Sequence, residues 1–184
     1  MGSSALTLFV LRPSDMESAV SFFQMVQPFE LVVVGEGILR VRASFYETED
    51  WESLHQQLTE ELLIRTKAFT SPIDSNLDLS LADAVLKDLT FGFHSFPEVI
   101  AEAVLQGRTA FVQAVRRFVE GAVGDELLRT VLSFIADDLN QSKAAKNLYM
   151  HRNTLLYRID QFAQLCGIDP RRFDGAFAIK LLFR

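Results

Sequence analysis

Residues 142–159, "SKAAKNLYMHRNTLLYRI", combine adjacent alanines, a short turn and a dense polar cluster. The segment "KAAKNL" predicts a short helix, for which Ser142 is a good N-cap. Small side chains let two helices approach closely, and Ala145 falls where a helical hairpin needs that contact. The turn "NLYM" follows, with an apolar residue on either side of its tyrosine. The pattern predicts two packed helices joined by a tight turn.

The second helix of this hairpin is predicted from about His151 to about Leu165. With about 100° of rotation per residue, four of its apolar side chains share one face. These are Leu155, Ile159, Phe162 and Cys166. The helix therefore packs one face against a core and leaves the other free for a partner. His151 projects near the apolar side at the helix start, so we interpret it as a cap or an orienting residue.

The opposite face carries amide, phenol and guanidinium groups, concentrated in the first two turns. This layout is typical of a recognition helix, whose N-terminal residues reach base edges in the major groove. Arginine contacts guanine and asparagine contacts adenine through paired hydrogen bonds, while threonine and tyrosine donate to phosphate oxygens. The candidate DNA-contacting residues are Ser142, Lys143, Lys146, His151, Arg152, Asn153, Thr154, Tyr157 and Arg158. A helical hairpin with a solvated polar face is the alternative interpretation, and it leaves the Arg-Asn-Thr cluster unexplained.

The stretch "LLRTVLSFIADDLNQSKAAKNLYMHRNTLLYRIDQFAQLCGID" resembles the C-terminal helix-turn-helix domain of the PucR/CdaR-type bacterial transcriptional regulators. The matching segments are Leu127–Leu132 (with Val131 for the usual leucine), Asn140–Ala145, His151–Arg158, Gly167–Asp169 and the closing "FDGAFAIKLLF". The resemblance implies a DNA-binding domain over residues 125–184. Larger family members carry sensor and nucleotide-cyclase-like domains before this module. Residues 1–120 contain no diguanylate-cyclase motif, so the chain resembles the short, leucine-rich members with a compact N-terminal part.

The charge of the chain is unevenly distributed. The formal net charge is −6, and residues 1–124 carry 9 Lys and Arg against 17 Asp and Glu. Residues 141–172 carry 6 against 2. Screening limits the reach of a surface charge to about 8 Å at physiological salt, so the local charge decides attraction to phosphate. The C-terminal segment is therefore compatible with DNA where it points away from the acidic body.

The N-terminal part of the chain predicts a small α+β unit. Residues 5–11 form an apolar run typical of a strand, and a helix follows from about Ser14. Two β-branched runs around Gly35-Glu36-Gly37 predict a hairpin. Asp50 opens a helix that is predicted to continue to about Phe69. Too few strands are predicted here to make a large sheet.

The remainder of the chain has a helical pattern from Leu77 onwards. Asp125 is a candidate cap for a helix with one apolar stripe. The stripe consists of Leu128, Leu132, Ile135 and Leu139. Segments 71–76 and 121–125 are the candidate linkers. The fold class is therefore α+β: residues 1–120 form a dimerisation or sensing region, and a mostly helical part ends in the domain of residues 125–184.

No catalytic residue, cofactor site or metal site is indicated by the sequence. The "GEG" at 35–37 lacks the third glycine and the following helix of a dinucleotide fingerprint, so we expect a turn. The three histidines are far apart, without the spacing of metal ligands. We expect His55 on the exposed side of its helix and His94, among phenylalanines, partly buried with its hydrogen bond satisfied.

Two other features that suggest a site have simpler explanations. The acidic stretch 46–52 could bind a cation, but it leads into a helix N-terminus, where carboxylates complement the helix dipole. Cys166 is the single cysteine of the chain, so we expect a small buried hydrophobe and not a disulfide or zinc ligand.

The predicted partners are double-stranded DNA, a second copy of the chain and an unidentified small-molecule effector. Operator selection by a helix-turn-helix normally needs two copies about 34 Å apart, so we expect a homodimer, joined through the hairpin or the helices of 77–120. No apolar run reaches the roughly 18 residues needed to span a membrane, and we find no signal peptide, so we expect a cytoplasmic protein. The alternative is a protein- or ligand-interaction module that keeps the helix-turn-helix as a scaffold without binding DNA.

Overall fold

The chain forms two compact units. The computed structural model describes residues 4–26, 29–35, 37–43, 50–72 and 77–184. The first unit contains the described residues before position 76 together with Leu79–Val99, and the second contains Leu77, Asp78 and Ile100–Arg184. The first unit combines a sheet with helices and the second is helical, which confirms the predicted α+β class. In the described part of the chain, no helix is both long and apolar enough to cross a bilayer.

The first unit is built around a mixed sheet. Its strands are β1 (Ser4–Val10), β2 (Phe29–Gly35), β3 (Ile38–Ala43), β4 (Thr66–Pro72) and β5 (Gly92–His94). Its helices are α1 (Pro13–Val26), α2 (Trp51–Leu62) and α3 (Ser80–Asp88). The strand order is β2-β3-β1-β4-β5, and all neighbours are antiparallel except the parallel pair β4 and β5. The apolar face of β1 packs with side chains of α1 and α2 in one core.

The predicted hairpin is confirmed by the antiparallel pairing of β2 with β3. Gly37, in its turn, has a φ of 83°, and a Cβ there would lie 2.3 Å from the carbonyl oxygen of Val10. The position therefore requires glycine for both its conformation and its close backbone contact. Glu36 lies outside the described residues.

The helix predicted from Asp50 to Phe69 is wrong in its second half. α2 ends at Leu62, and Leu63 has a left-handed φ of 51°. Residues 66–72 form β4, which lies between β1 and β5. Both faces of β4 are buried over residues 66–69, so its sequence lacks the alternation that marks a half-exposed strand. The predicted linker 71–76 therefore begins inside a strand, and 73–76 lie outside the described residues.

The second half of the chain is helical, with one exception and one internal break. Its helices are α4 (Phe96–Leu105), α5 (Thr109–Ala136), α6 (Gln141–Asn147), α7 (Arg152–Cys166) and α8 (Phe173–Leu182). The exception is β5, which the helical pattern from Leu77 onwards did not predict. Gly124 has non-helical angles (φ 70°, ψ 170°) inside α5, within the predicted linker 121–125. The two compact units, however, divide at residues 99 and 100.

Candidate nucleic-acid interface

α7 separates a buried face from an exposed one. The buried face consists of Leu155, Ile159, Phe162 and Cys166. The exposed face includes Asn153, Tyr157 and Gln164. The face predicted from the helical period is therefore confirmed. Burial raises the pKa of the Cys166 thiol to about 12, so this side chain is an uncharged part of the core, as expected.

His151 and Gly167 define the two ends of α7. The backbone N–H of Asn153 donates to Nδ1 of His151 at 3.2 Å, so His151 is the N-cap of the helix. Gly167 follows the last helical residue in the left-handed conformation, with a φ of 67°, which glycine adopts at little steric cost. His151 thus has the capping role that its position predicted.

α6 has a different N-cap from the predicted one. The Oδ1 atom of Asn140 accepts a hydrogen bond from the backbone N–H of Lys143 at 3.0 Å. Asn140 is therefore the cap, and Ser142 lies inside the helix with its side chain exposed. Asparagine and serine cap helices about equally well, so residue type alone did not distinguish the two positions.

The two alanines of α6 lie where helices come close together. Ala144 and Ala145 are buried in a cluster with Phe134 of α5 and with Leu155 and Ile159 of α7. Partly buried side chains complete this cluster: Leu139, Leu148 and Met150. The core positions α7 relative to α5 and α6.

The turn between α6 and α7 exposes an aromatic side chain. The N–H groups of Leu148 and Met150 donate to the carbonyl oxygens of Ala144 and Ala145 at 2.9 and 3.0 Å. Between them, Tyr149 has a φ of 51°, which is uncommon for residues other than glycine. Its side chain is 98% exposed. Tyr149 is not among the candidate contacts, although it lies between two of them, Lys146 and His151.

The apolar stripe predicted for the second half of α5 is shifted. The buried residues there include Leu127, Leu128, Val131 and Phe134. Of the predicted set, only Leu128 is buried, whereas Leu132, Ile135 and Leu139 are partly exposed. The helix contacts α6, α7 and α8, so its buried face is wider than one stripe and its centre cannot be fixed from spacing alone.

Asp137 connects α6 to the end of α5. The Nδ2 atom of Asn147 donates to both carboxylate oxygens of Asp137 at 2.9 Å. Nζ of Lys143 forms an ion pair with the same carboxylate, at 3.3 Å from Oδ1, and lies 3.7 Å from Oδ2 of Asp138. Asp137 is buried, so these donors replace the water that its charge would otherwise require. Sequence reasoning missed this residue, because its partners lie on another helix.

Both arginines of the candidate site have partners within the unit. Nε and Nη2 of Arg152 donate to Oε1 of Gln141 at 3.0 and 2.7 Å. Nη1 of Arg158 donates to Oγ1 of Thr130 at 3.1 Å, and its Nη2 donates to Oε1 of Glu126 at 2.5 Å. Arg152 therefore joins the starts of α6 and α7, and Arg158 joins α7 to α5.

Five candidate residues have exposed side chains without such partners. They are Ser142, Lys146, Asn153, Thr154 and Tyr157. Within the described ranges, none of these side chains forms a hydrogen bond or an ion pair. Asn153 and Thr154 lie in the first turn of α7, next to Arg152. The first turn of α7 therefore presents guanidinium, amide and hydroxyl groups together.

The turn after α7 packs against α8 through a glycine. A Cβ at Gly175 would lie 2.1 Å from the carbonyl oxygen of Asp169. The side chain of Arg171 donates to both carboxylate oxygens of Asp169 and to Asp160 of α7. Burial alone would raise the pKa of Asp169, but the hydrogen bonds from Arg171 and the nearby positive charges lower it below its ordinary value. The turn is therefore held by its close contact with α8 on one side and by the bond from Arg171 to α7 on the other.

The two N-terminal histidines and the acidic stretch are far from the helix-turn-helix in the sequence. The prediction that His55 is exposed is wrong: it is buried, with Nε2 2.7 Å from Oγ1 of Thr66. The expectation for His94 is confirmed, since its ring is partly buried and Nε2 lies 3.0 Å from the carbonyl oxygen of Thr90. The acidic stretch 46–49 lies outside the described residues. Among the described residues, no group of three His, Cys, Asp or Glu side chains is arranged to hold a metal.

The short α6, the tight turn and the half-buried α7 define a helix-turn-helix domain. Residues 127–184 match the family model of the PucR C-terminal helix-turn-helix domain. This part of the chain is therefore a domain of the PucR type, as the resemblance of the motifs predicted.

The known proteins to which this chain is similar include a curated protein and a solved structure. The uncharacterized protein YxkF of Bacillus subtilis (strain 168) is 45% identical over 51 residues, which are 28% of this chain and 17% of that protein. This chain thus matches less than a fifth of that relative. The crystal structure of a regulator of polyketide synthase expression from Bifidobacterium adolescentis has a TM-score of 0.53 and 14% identity, covering 99% of this chain and 79% of the other. The similarity to this crystal structure is a similarity of fold.

Proposed function

We propose that the chain is a cytoplasmic, sequence-specific DNA-binding transcriptional regulator that acts as a homodimer. In this proposal, α7 lies in the major groove of double-stranded DNA. The observation that carries it is the first turn of α7, which exposes Arg152, Asn153 and Thr154 while the other face of the helix is buried. The PucR-type domain and the regulator of similar fold support the same function.

His151 caps α7 in this proposal, and the other candidate residues fall into two groups. Arg152 and Asn153 read base edges, because their side chains can form paired hydrogen bonds with guanine and adenine. The phosphate contacts come from Ser142, Lys143, Lys146, Thr154, Tyr157 and Arg158. Lys143 and Arg158 must exchange an acidic partner for a phosphate, so we expect them to contribute less than Lys146. Residues 1–120 would dimerise the chain, bind a small-molecule effector, or do both.

Asn153→Ala and Arg152→Ala should each weaken specific binding by about 1–3 kcal/mol, as base-edge contacts do. The probe is a duplex that the purified full chain selects from a random library, compared with an unrelated duplex of equal length in a mobility-shift assay. Gln164→Ala is the matched control, since Gln164 is exposed on the same helix but lies in its last turns. Unchanged affinity and selectivity in both variants would contradict the assignment of α7 as the recognition helix.

Lys146→Ala should weaken binding to both duplexes alike and reduce the slope of log K against log salt by about one, because a phosphate contact releases one counterion. Arg158→Ala is the comparison. We expect it to lower thermal stability with a smaller change in slope, because Arg158 is bonded to Glu126 and Thr130. An equal or larger slope change in Arg158→Ala would show that Arg158 exchanges Glu126 for a phosphate.

The ion pairs of Lys143 and Arg158 favour a second candidate function. The candidate residues include four cations, Lys143, Lys146, Arg152 and Arg158, and two of them, Lys143 and Arg158, are paired with carboxylates. This observation fits a protein- or ligand-interaction module that keeps the helix-turn-helix as a scaffold. Failure of the full chain to enrich any duplex from the library would support this alternative over DNA binding.

A further inference from the structure

The edge strand β2 exposes an apolar surface in the first unit. It pairs with β3 on one side and is the last strand in the order β2-β3-β1-β4-β5 of the described sheet. Val32, Val33 and Val34 are 44%, 56% and 44% exposed. Val32 pairs with Arg40 and Val33 with Leu39 on β3, so these two valines point to opposite faces of the sheet. Over residues 32–34, both faces of this edge strand are therefore apolar and exposed.

Apart from Glu30 near its start, this edge lacks the features that usually prevent strands from associating. Exposed edges are normally protected by charged side chains, by proline or by a bulge in mid-strand. Residues 31–35, "LVVVG", contain no charge and no proline. The irregular pairing between Val33 and Gly35 lies at the end of the strand, beyond its centre. The outer backbone groups of β2 are thus suited to pair with another strand.

We infer that β2 pairs antiparallel with β2 of a second copy of this chain, so that the two sheets join. Complete overlap of the seven residues Phe29–Gly35 places the two-fold axis at Val32, which then faces its own copy. Leu31 lies opposite Val33 of the other copy, and Glu30 lies opposite Val34. The inference rests on the proposed homodimer and names the surface that forms it.

The chemistry of the strand favours a second copy as the partner. A strand paired antiparallel with itself forms a closed, two-fold symmetric contact. The central pairs are all apolar, which is favourable across strands, and no like charges face each other. A pair of seven-residue strands is small beside the roughly 800 Å² per partner of a standard interface. We therefore expect a dimer that dissociates on dilution.

The test is sedimentation of the full chain over a range of concentrations, without DNA. The wild type should shift from the 20.8 kDa monomer towards twice that mass as its concentration rises. Val32→Lys and Val32→Glu should each remain monomeric, because like charges would face each other at the axis. An equimolar mixture of the two variants should recover the dimer. Leu63→Lys, at a site 86% exposed and outside β2, should dimerise like the wild type.

Each outcome either supports or overturns the strand pairing. A wild-type dimer that survives Val32→Lys would overturn this interface and leave the homodimer itself intact. A wild type that stays monomeric at every concentration would overturn both the strand pairing and the proposed homodimer. Two monomeric variants that fail to dimerise when mixed would overturn self-pairing in favour of a different partner for the edge. Because no DNA is present in this experiment, its result does not test the proposed DNA binding, which the mobility-shift assay tests separately.

Discussion

Gly175→Ala is expected to destabilise the helix-turn-helix unit by about 3 kcal/mol, at the upper end of what overpacking costs. The added Cβ would lie 2.1 Å from the carbonyl oxygen of Asp169 and 2.8 Å from its carbonyl carbon. Backbone atoms cannot rotate away as the end of a flexible side chain can. The turn after α7 would have to shift, although the side chain of Arg171 holds it to α7.

The matched control for this variant is Gly121→Ala. Gly121 lies within α5, and a Cβ there meets no heavy atom within 4 Å. The helix propensity of alanine is more favourable than that of glycine by about 1 kcal/mol, so this variant should be slightly more stable than the wild type. Unfolding in urea, followed by circular dichroism, gives both values.

In the same experiment, tryptophan fluorescence reports on the first unit alone. Trp51, the single tryptophan of the chain, lies in the first unit, so its fluorescence should change little in Gly175→Ala under native conditions. We also expect this variant to lose DNA binding. Equal stability of the two glycine variants would contradict the close contact between α8 and Asp169.

The C-terminal helices were predictable because their signals are local. The buried face of α7 follows from a spacing of three and four residues, and His151 and Gly167 mark its ends within one turn. The partners of the polar side chains were not predictable in the same way. Arg158 and Glu126 are 32 residues apart, and Asn147 and Asp137 are ten apart on different elements. Such pairs depend on how the helices pack.

The N-terminal errors have one common origin. β4 is buried on both faces and stabilised by strands distant in sequence, so its apolar residues resembled a continuation of α2. A helix predicted over Thr66 offers His55 no buried partner, and His55 is then expected on the exposed side. The missed strand β4 thus accounts for the wrong environment of His55, and β4 and β5 together account for the small predicted sheet.

The first unit should lose stability as the pH falls from about 6.5 to about 4, because of His55. Burial, with a smaller effect from the nearby His94, lowers the pKa of His55 from 6.5 to about 4. The unfolded chain therefore binds a proton in this range more readily than the folded chain does. Stability from the neutral ring is complete above pH 6.5 and decreases as the pH falls, by about 2 kcal/mol at pH 5.

His55→Gln tests this expectation, since glutamine can still bond with Thr66 but does not titrate. Urea unfolding followed by Trp51 fluorescence between pH 7 and pH 5 should show a larger loss of stability in the wild type than in the variant. Comparison of the two chains cancels the titration of the carboxylates that they share. Parallel pH dependence in both would mean that His55 is protonated in the folded state, against its burial beside Thr66 and Phe93. The charge would then lie in a buried contact with a neutral hydroxyl, where no carboxylate of the described residues is bonded to the ring to compensate for its lost hydration.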